Sequence, residues 1–184
     1  MIHGTEPRAR VVVSDVTIRG TEADASGLAG VGIAVASSEG SGLPGEVVGE
    51  RLAVVGNRAI GILGWEGGTV RLTDVVVTGT RPTACSETGR CGPGGSAAAA
   101  YLGGQIDLRR FLLADSAQCG VQLARGGTID LHEGTVAHNP CGANVQTEGF
   151  DISRLLDRVR WVDNATNLDS STLPVPDPIV PASM

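Results

Sequence analysis

Aromatic residues, lysine and long apolar segments are scarce or missing in this chain, and each shortage narrows what the protein can be. Aromatics make up 3% of the 184 residues, so a core must be built from Val, Ile, Leu and Ala. All 14 cationic residues are Arg, they form no basic cluster, and the net charge is −6, which argues against a nucleic-acid partner. No apolar run approaches the length of a transmembrane helix, so no membrane span is predicted.

Glycine is abundant, with 27 residues, and it falls at the ends of a repeat that is 23 residues long. The uninterrupted blocks are 46–68, 105–127 and 128–150; blocks 10–45 and 69–104 carry insertions, and a degenerate sixth copy begins at residue 151. A period of this length indicates one supersecondary unit that is stacked on itself. The whole fold therefore has to be interpreted from the repeat.

Each block alternates apolar and polar residues and is rich in β-branched side chains, which predicts strands. We expect two short strands separated by a bend, followed by a third short strand. The first apolar position of the block is Val11, Val47, Val70, Ile106 and Ile129. Strands that recur in successive blocks are expected to pair in parallel, about 4.8 Å apart.

Two polar columns, meaning residues at the same position in successive blocks, support this register. One column predicts a ladder of side-chain hydrogen bonds and contains Thr21, Asn57, Thr80, Ser116, Asn139 and Asn164. The other lies at the bend and alternates in charge: Asp15, Arg51, Asp74, Arg110, Glu133 and Arg158. Opposite charges on neighbouring strands stabilise a sheet by roughly 0.2–1 kcal/mol per pair.

This organisation resembles the right-handed parallel β-helix of the pectin-lyase-like superfamily, over about residues 9–168. The resemblance implies an all-β solenoid of about six coils with loop insertions at the surface. The chain then divides into an N-terminal lead-in (1–9), the β-helix (10–168) and an extended proline-rich tail (169–184). Trp161 falls in an inward column of the last coil, where it can cover the open core. The N-terminal end lacks such a cap, which predicts further coils or a capping partner there.

The four cysteines indicate whether the protein belongs to an oxidising or a reducing cellular compartment. Cys85 and Cys91 lie in a Gly- and Ser-rich insertion, at a spacing that suits a small loop closed by a disulfide. Cys119 and Cys141 share a column in neighbouring coils, and parallel neighbours fall within the Cα range of a disulfide. Two disulfides favour an oxidising compartment and hence a secreted or cell-surface protein. The alternative is a pair of buried free thiols, and no zinc site is predicted because no His accompanies them.

One candidate site is the column Asp115, His138 and Asp163, on three consecutive coils. Two carboxylates on either side of a histidine could form the acid–base pair of an inverting glycosidase. Enzymes of the superfamily typically carry an Asp cluster, for calcium or acid–base work, and an Arg base on such a face. A second acidic pair, Asp107 and Asp130, lies beside Arg71. No catalytic motif of the family is present, so surface charge is the simpler interpretation, and calcium is expected only if the chain is an enzyme.

Trp65 and Tyr101 form the second candidate site, because they occupy equivalent positions in neighbouring coils. Their neighbours Gly64 and Ala100 fall on the inward side, which predicts that both rings face outward. Exposed aromatic rings side by side would form a platform for sugar rings. The alternative is that they pack beneath the inserted loops at 39–45 or 83–95.

Two functional hypotheses follow. The first is a non-catalytic extracellular module that presents loops and a flat face to a polysaccharide or a cell-surface protein, or that is purely structural. The second is a polysaccharide lyase or glycoside hydrolase that uses the acidic columns. Six coils are few for the enzymes of this superfamily, and the first hypothesis is favoured; it needs no metal or other cofactor.

Overall fold

The computed structural model describes residues 9–22, 30–37, 44–83 and 94–174, which form an all-β protein with two parallel six-stranded sheets. The first sheet contains, in spatial order, β1 (Arg10–Arg19), β3 (Glu46–Val55), β5 (Thr69–Thr78), β7 (Gln105–Ala114), β9 (Thr128–Ala137) and β11 (Asp157–Val162). The second contains β2 (Ile33–Val35), β4 (Ile60–Trp65), β6 (Ser96–Tyr101), β8 (Cys119–Ala124), β10 (Cys141–Val145) and β12 (Thr166–Asp169). A short 3-10 helix, Ile152–Leu155, precedes β11.

Every strand pairs with the equivalent strand of the next repeat, as the 23-residue period predicts. Val11 lies opposite Val47, and Val70 lies opposite Ile106. Strands of the two sheets alternate along the chain, so each repeat contributes one strand to each sheet. This arrangement is consistent with a parallel β-helix.

The described part of each repeat contains two strands, whereas the sequence pattern predicts three. The expected bend is present as a residue with positive φ, for example Asp74 at 56°, but strand pairing continues on both sides of it. The bend positions, with φ between 49° and 57°, are Asp15, Arg51, Asp74, Arg110, Glu133 and Arg158. A single left-handed residue turns the strand without ending it, which is why the first two predicted strands merge.

The hydrophobic core lies between the two sheets and is almost entirely aliphatic. Val70 and Leu72 of β5 face Ile62, Ala98 and Val121 of the second sheet, and all of them are buried. At the end of the stack, the half-buried Trp161 lies opposite Val136 and packs against this core, which confirms its inward position. The described part of the chain has no helix long and apolar enough to cross a membrane.

The predicted polar ladder is present beside the core. The Asn139 side-chain oxygen accepts the backbone N–H of Ser116 at 3.0 Å, and the Asn164 oxygen accepts that of Asn139 at 3.0 Å. Asn57 repeats the arrangement with Thr21, whose N–H and hydroxyl both donate to it, at 3.0 and 2.8 Å. These amides satisfy backbone donors at the ends of β1, β7 and β9, so the predicted ladder is present in those repeats.

Candidate functional site

Trp65 and Tyr101 lie side by side, but they do not form an exposed platform. The two residues are opposite each other in β4 and β6, and the ring centroids are 5.9 Å apart in an edge-to-face arrangement. Trp65 is only 5% exposed and Tyr101 is fully buried. The prediction of an exposed surface for stacking sugar rings is therefore wrong.

The two rings belong to a second apolar cluster, on the outer face of the second sheet. Ile60 and Leu63 of β4 pack in the same cluster, and Val31 and Leu102 pack against it. The Tyr101 hydroxyl donates to the Gln122 side-chain oxygen at 2.7 Å, and burial raises the pKa of this phenol above its ordinary value. The rings therefore stabilise the packing of the second sheet and are not available to a ligand.

Part of the cover of this face comes from the chain that follows β12. The Asn144 side chain donates to the carbonyl of Ser171 at 3.0 Å, and the Gln122 side chain donates to that of Pro174 at 3.4 Å. Residues 170–174 therefore run along the outer face of the second sheet. The apolar run of β4 and the Ala run of β6 indicate in the sequence that both faces of the second sheet are covered, because strands without alternation are typical of sheets buried on both faces.

The cysteine predictions are corrected in part. Cys119 and Cys141 lie opposite each other in β8 and β10, as expected, but both are free thiols and no disulfide joins them. Their side chains are buried and hydrogen-bonded to each other, and this bond together with burial raises the pKa of Cys119. Cys85 and Cys91 lie outside the described residues. The thiol pair therefore gives no support for an oxidising compartment.

The structure brings the predicted column Asp115, His138 and Asp163 together. The three residues occupy a second bend, each with positive φ, where earlier repeats carry glycine. His138 lies between the carboxylates, with Nδ1 3.5 Å from Asp115 Oδ1 and Nε2 3.8 Å from Asp163 Oδ2. All three side chains are more than half exposed. A protonated His138 can bridge both carboxylates, but water surrounds the column on its outer side.

A second histidine column was missed by sequence reasoning. His132 Nδ1 lies 2.8 Å from Asp157 Oδ2, and its Nε2 lies 3.8 Å from Asp107 Oδ1. The hydrogen bond from His132 lowers the pKa of Asp157, with Arg158 as a further cause. The signal was available, because His132 and Asp157 fall on the outward side of the first sheet in neighbouring repeats.

In the second acidic pair, an arginine binds one member, Asp130, at hydrogen-bond distance. Asp107 and Asp130 are opposite each other, and Arg71 is opposite Asp107, as predicted. Arg154 binds both carboxylate oxygens of Asp130, each at 2.7 Å, while Arg71 pairs with Glu46. No set of three or more His, Cys, Asp or Glu residues suited to hold a metal ion occurs in the described ranges. Asp130 is therefore occupied in an ion pair, whereas Asp107 lies 3.7 Å from Arg109 and its Oδ1 is buried without a hydrogen bond in the described part of the chain.

The remaining surface of note is an apolar strip on the outer face of the first sheet, between its two bends. Its members face away from the core because Leu52, Val54, Val75 and Val77, which alternate with them, point inward. We call it the outer strip, and it comprises Ala53, Val55, Val76, Thr78 and Leu112. Val76 at its centre is 38% exposed and the other members are half-buried.

The two bends border the outer strip, and the first of them is charged in every repeat. On one side, Arg51 binds both carboxylate oxygens of Asp15, at 2.6 and 2.8 Å, and Arg110 binds those of Asp74, at 2.7 and 2.8 Å. On the other side lies the second bend, which is Gly56 after β3, Gly79 after β5 and Asp115 after β7. The predicted charge ladder is thus resolved into discrete pairs.

No family model, curated protein or solved structure matches this chain, so its function has to be argued from this geometry.

Proposed function

We propose that the chain is a right-handed parallel β-helix that acts as a secreted or cell-surface, non-catalytic module and binds a neutral polysaccharide on the outer strip. The observation that carries the proposal is the exposed side chain of Val76 at the centre of a row of half-buried aliphatic residues, with Thr78 and Asp115 beside it. Contiguous apolar surface that is rimmed by polar residues is typical of binding sites.

The chemistry of the outer strip suits a sugar chain. A pyranose ring has an apolar face of C–H groups and a rim of hydroxyls. Val76, Leu112 and Ala53 supply apolar contact to the faces of successive rings, at the regular spacing of parallel strands. Thr78 and the carboxylates at the second bend supply hydrogen-bond partners for the hydroxyls.

The charges favour a neutral chain over a polyuronate. The arginines of the first bend are already paired, Arg51 with Asp15 and Arg110 with Asp74, so they offer little net positive charge to a uronate. Asp115 lies on the other side, 3.3 Å from the Thr78 hydroxyl, and the whole chain carries a net charge of −6. The carboxylate beside the outer strip and the net negative charge of the chain would both repel a polyanion.

Affinity electrophoresis in gels that contain a neutral β-glucan, xylan or galactomannan tests the proposal, with polygalacturonate as the anionic comparison. We expect at least one neutral polymer to retard the protein and polygalacturonate to leave its mobility unchanged. Val76→Asp should abolish the retardation, since it places a charge in the apolar surface. Val12→Asp is the matched control, because Val12 is 70% exposed on the outer face of the same sheet but lies outside the outer strip. Unchanged mobility in every neutral gel would refute the proposal.

A second candidate, a polysaccharide lyase or glycosidase, is favoured by one observation: His138 lies within 4 Å of both Asp115 and Asp163. Acid–base catalysis requires groups held around a substrate and shielded from water, and this column is more than half exposed. We expect no release of reducing ends or unsaturated products from uronic or neutral polysaccharides, with or without added calcium. Turnover that is lost in Asp115→Asn or His138→Ala would establish the enzyme instead.

A further inference from the structure

The two ends of the first sheet are both unfinished in the described part of the chain. No described strand pairs with the outer edge of β1 or with that of β11, so each edge has backbone N–H and C=O groups without a partner among the described strands. Unpaired edges of this kind are templates for another strand. The ends differ in the side chains that they present.

At the β1 end, the apolar side chains of the core column remain accessible. Val11 is 55% exposed, and Val16 and Ile18 are half-buried. In the next repeat the equivalents of Val16 and Ile18 are Leu52 and Val54, which are 3% and 0% exposed. The core is therefore open at β1, and a further strand would close it.

At the β11 end, the core is also incompletely covered. Leu156, just before β11, is 54% exposed, and Val159 and Trp161 are half-buried. An apolar pocket of about 130 Å³ lies between Leu155, Leu156 and Trp161. This end therefore presents apolar side chains and a recess beside them.

The strand register gives each core-facing residue of β1 an equivalent residue on β11. Following the pairing from strand to strand, Val16 occupies the position of Val159 and Ile18 that of Trp161. A second copy that placed its β1 beside β11 would thus stack apolar residue on apolar residue. It would also pair the free backbone groups of both edges, since all strands would remain parallel.

The charge column selects this orientation. The column begins with Asp15 on β1 and ends with Arg158 on β11. Contact between β1 of one copy and β11 of another places these opposite charges together and continues the alternation, whereas two β1 edges would bring Asp15 against Asp15. Ile33 of β2 is only 9% exposed, so the apolar core side chains left open at the β1 end belong to the first sheet.

We propose that a second copy of this chain docks head to tail, with its β1 edge on the β11 edge of the first. Such a contact is heterologous, because it joins two different surfaces and leaves one free end of each kind. The chain should therefore form dimers and longer linear oligomers as its concentration rises. This contact is independent of the outer strip, so its failure would leave the proposed polysaccharide binding untouched.

Sedimentation velocity over a wide concentration range, combined with two blocking variants, tests the proposal. Wild-type protein should pass from monomer through dimer to larger species. Val16→Lys blocks the β1 end and Leu156→Lys blocks the β11 end, and each should weaken self-association by roughly tenfold or more, because an unpaired ammonium would be buried in an apolar contact. Val12→Lys, which lies on β1 but faces outward, should associate as the wild type does. If Val16→Lys impairs folding, Val11→Lys replaces it.

Mixing the two blocked variants gives the decisive result. Each retains the end that the other lacks, so an equimolar mixture should form a dimer and nothing larger, while each variant alone stays monomeric. Wild-type protein that is monomeric at every concentration would overturn the proposal. Oligomers that are lost in Val16→Lys but kept in Leu156→Lys would overturn it too, since they would indicate a symmetric contact between β1 edges.

Discussion

The ring of Phe111 occupies the space that a side chain at Gly134 would need. A Cβ built on Gly134 would lie 2.4 Å from two ring carbons of Phe111. The two residues stand in the same inward column of neighbouring repeats, and Phe111 is only 5% exposed. One large side chain thus fills the volume that two aliphatic side chains fill elsewhere in the column.

This shared volume predicts strong coupling between the two positions. Gly134→Val should destabilise the protein by about 1–3 kcal/mol through overpacking, and Phe111→Val should destabilise it by about 3 kcal/mol through the cavity that it leaves. The double variant restores two aliphatic residues and should lose much less than the sum of the two changes. Equilibrium unfolding in urea measures all three free energies, and additive losses would contradict the shared packing.

Asn139 should be the polar residue of the ladder that is least tolerant of substitution. It is 2% exposed, accepts the N–H of Ser116 and donates to the carbonyls of Leu113 and Ala137 at 3.3 and 2.9 Å. Asn139→Ala removes the acceptor of the buried Ser116 N–H, while the Ala137 carbonyl keeps the backbone N–H of Asp115, so we expect a loss of about 1–3 kcal/mol in the free energy of unfolding. Asn164→Ala is the graded control. It removes the equivalent acceptor, that of the Asn139 N–H, in a half-buried position that water can reach. An equal loss of stability in both variants would mean that burial does not determine its size.

The repeat made the arrangement within each sheet predictable. A column in the sequence fixes which residues face each other across strands, so the pairing of Val11 with Val47 and the contact of Asp74 with Arg110 followed from alignment alone. The column Asp115, His138 and Asp163 was located for the same reason. The number of strands per repeat was predicted wrongly, because a left-handed bend residue interrupts the sequence pattern in the same way as the end of a strand.

The exposure of Trp65 and Tyr101 was not predictable in this way. Period-two alternation tells which face of a sheet a side chain occupies, but not what packs on that face. The chain after β12 covers part of it through contacts from Gln122 and Asn144 that have no counterpart in other repeats. The absence of a Cys119–Cys141 disulfide was not predictable either, since a shared column sets the Cα separation but does not orient the two sulfurs for a bond.

Ion pairs at the bends predict how stability depends on pH. The hydrogen bond from Arg110 lowers the pKa of Asp74, that from Arg51 lowers the pKa of Asp15, and His132 does the same for Asp157. Each carboxylate therefore binds protons less readily when folded than when unfolded. The stability from these pairs is present above the ordinary carboxyl pKa of 3.8 and is lost as pH falls through the lowered values.

The variant Arg110→Gln isolates one of these pairs. Near neutral pH its Tm should be slightly below that of the wild type, and the difference should shrink at high salt because the pair is exposed. The difference should also vanish in strong acid, where Asp74 is protonated in both proteins. Thermal unfolding by circular dichroism between pH 7 and 2 measures this, with Arg125→Gln, a change at an exposed turn, as the control. A Tm difference that persists in acid would assign the effect of Arg110 to packing.

Trp65 and Tyr101 provide the sharpest contrast between a binding role and a structural one. If the rings were a sugar platform, Trp65→Ala would remove binding and leave the free energy of unfolding almost unchanged. Because Trp65 is 5% exposed and packs edge to face on Tyr101, the structure predicts the reverse: a loss of about 3–5 kcal/mol in stability.

Tyr101→Phe completes that test, because it removes only the hydroxyl. Ser96 still donates to the Gln122 oxygen at 3.1 Å, so this acceptor keeps a partner and the expected loss is about 1 kcal/mol. Guanidinium unfolding curves for both variants, measured beside the Val76→Asp variant of the outer strip, separate the two surfaces. Val76→Asp should lose polysaccharide retention with little loss of stability, while Trp65→Ala should lose stability and, wherever it remains folded, retain binding. A stable Trp65→Ala protein without retention would return the ligand site to the second sheet.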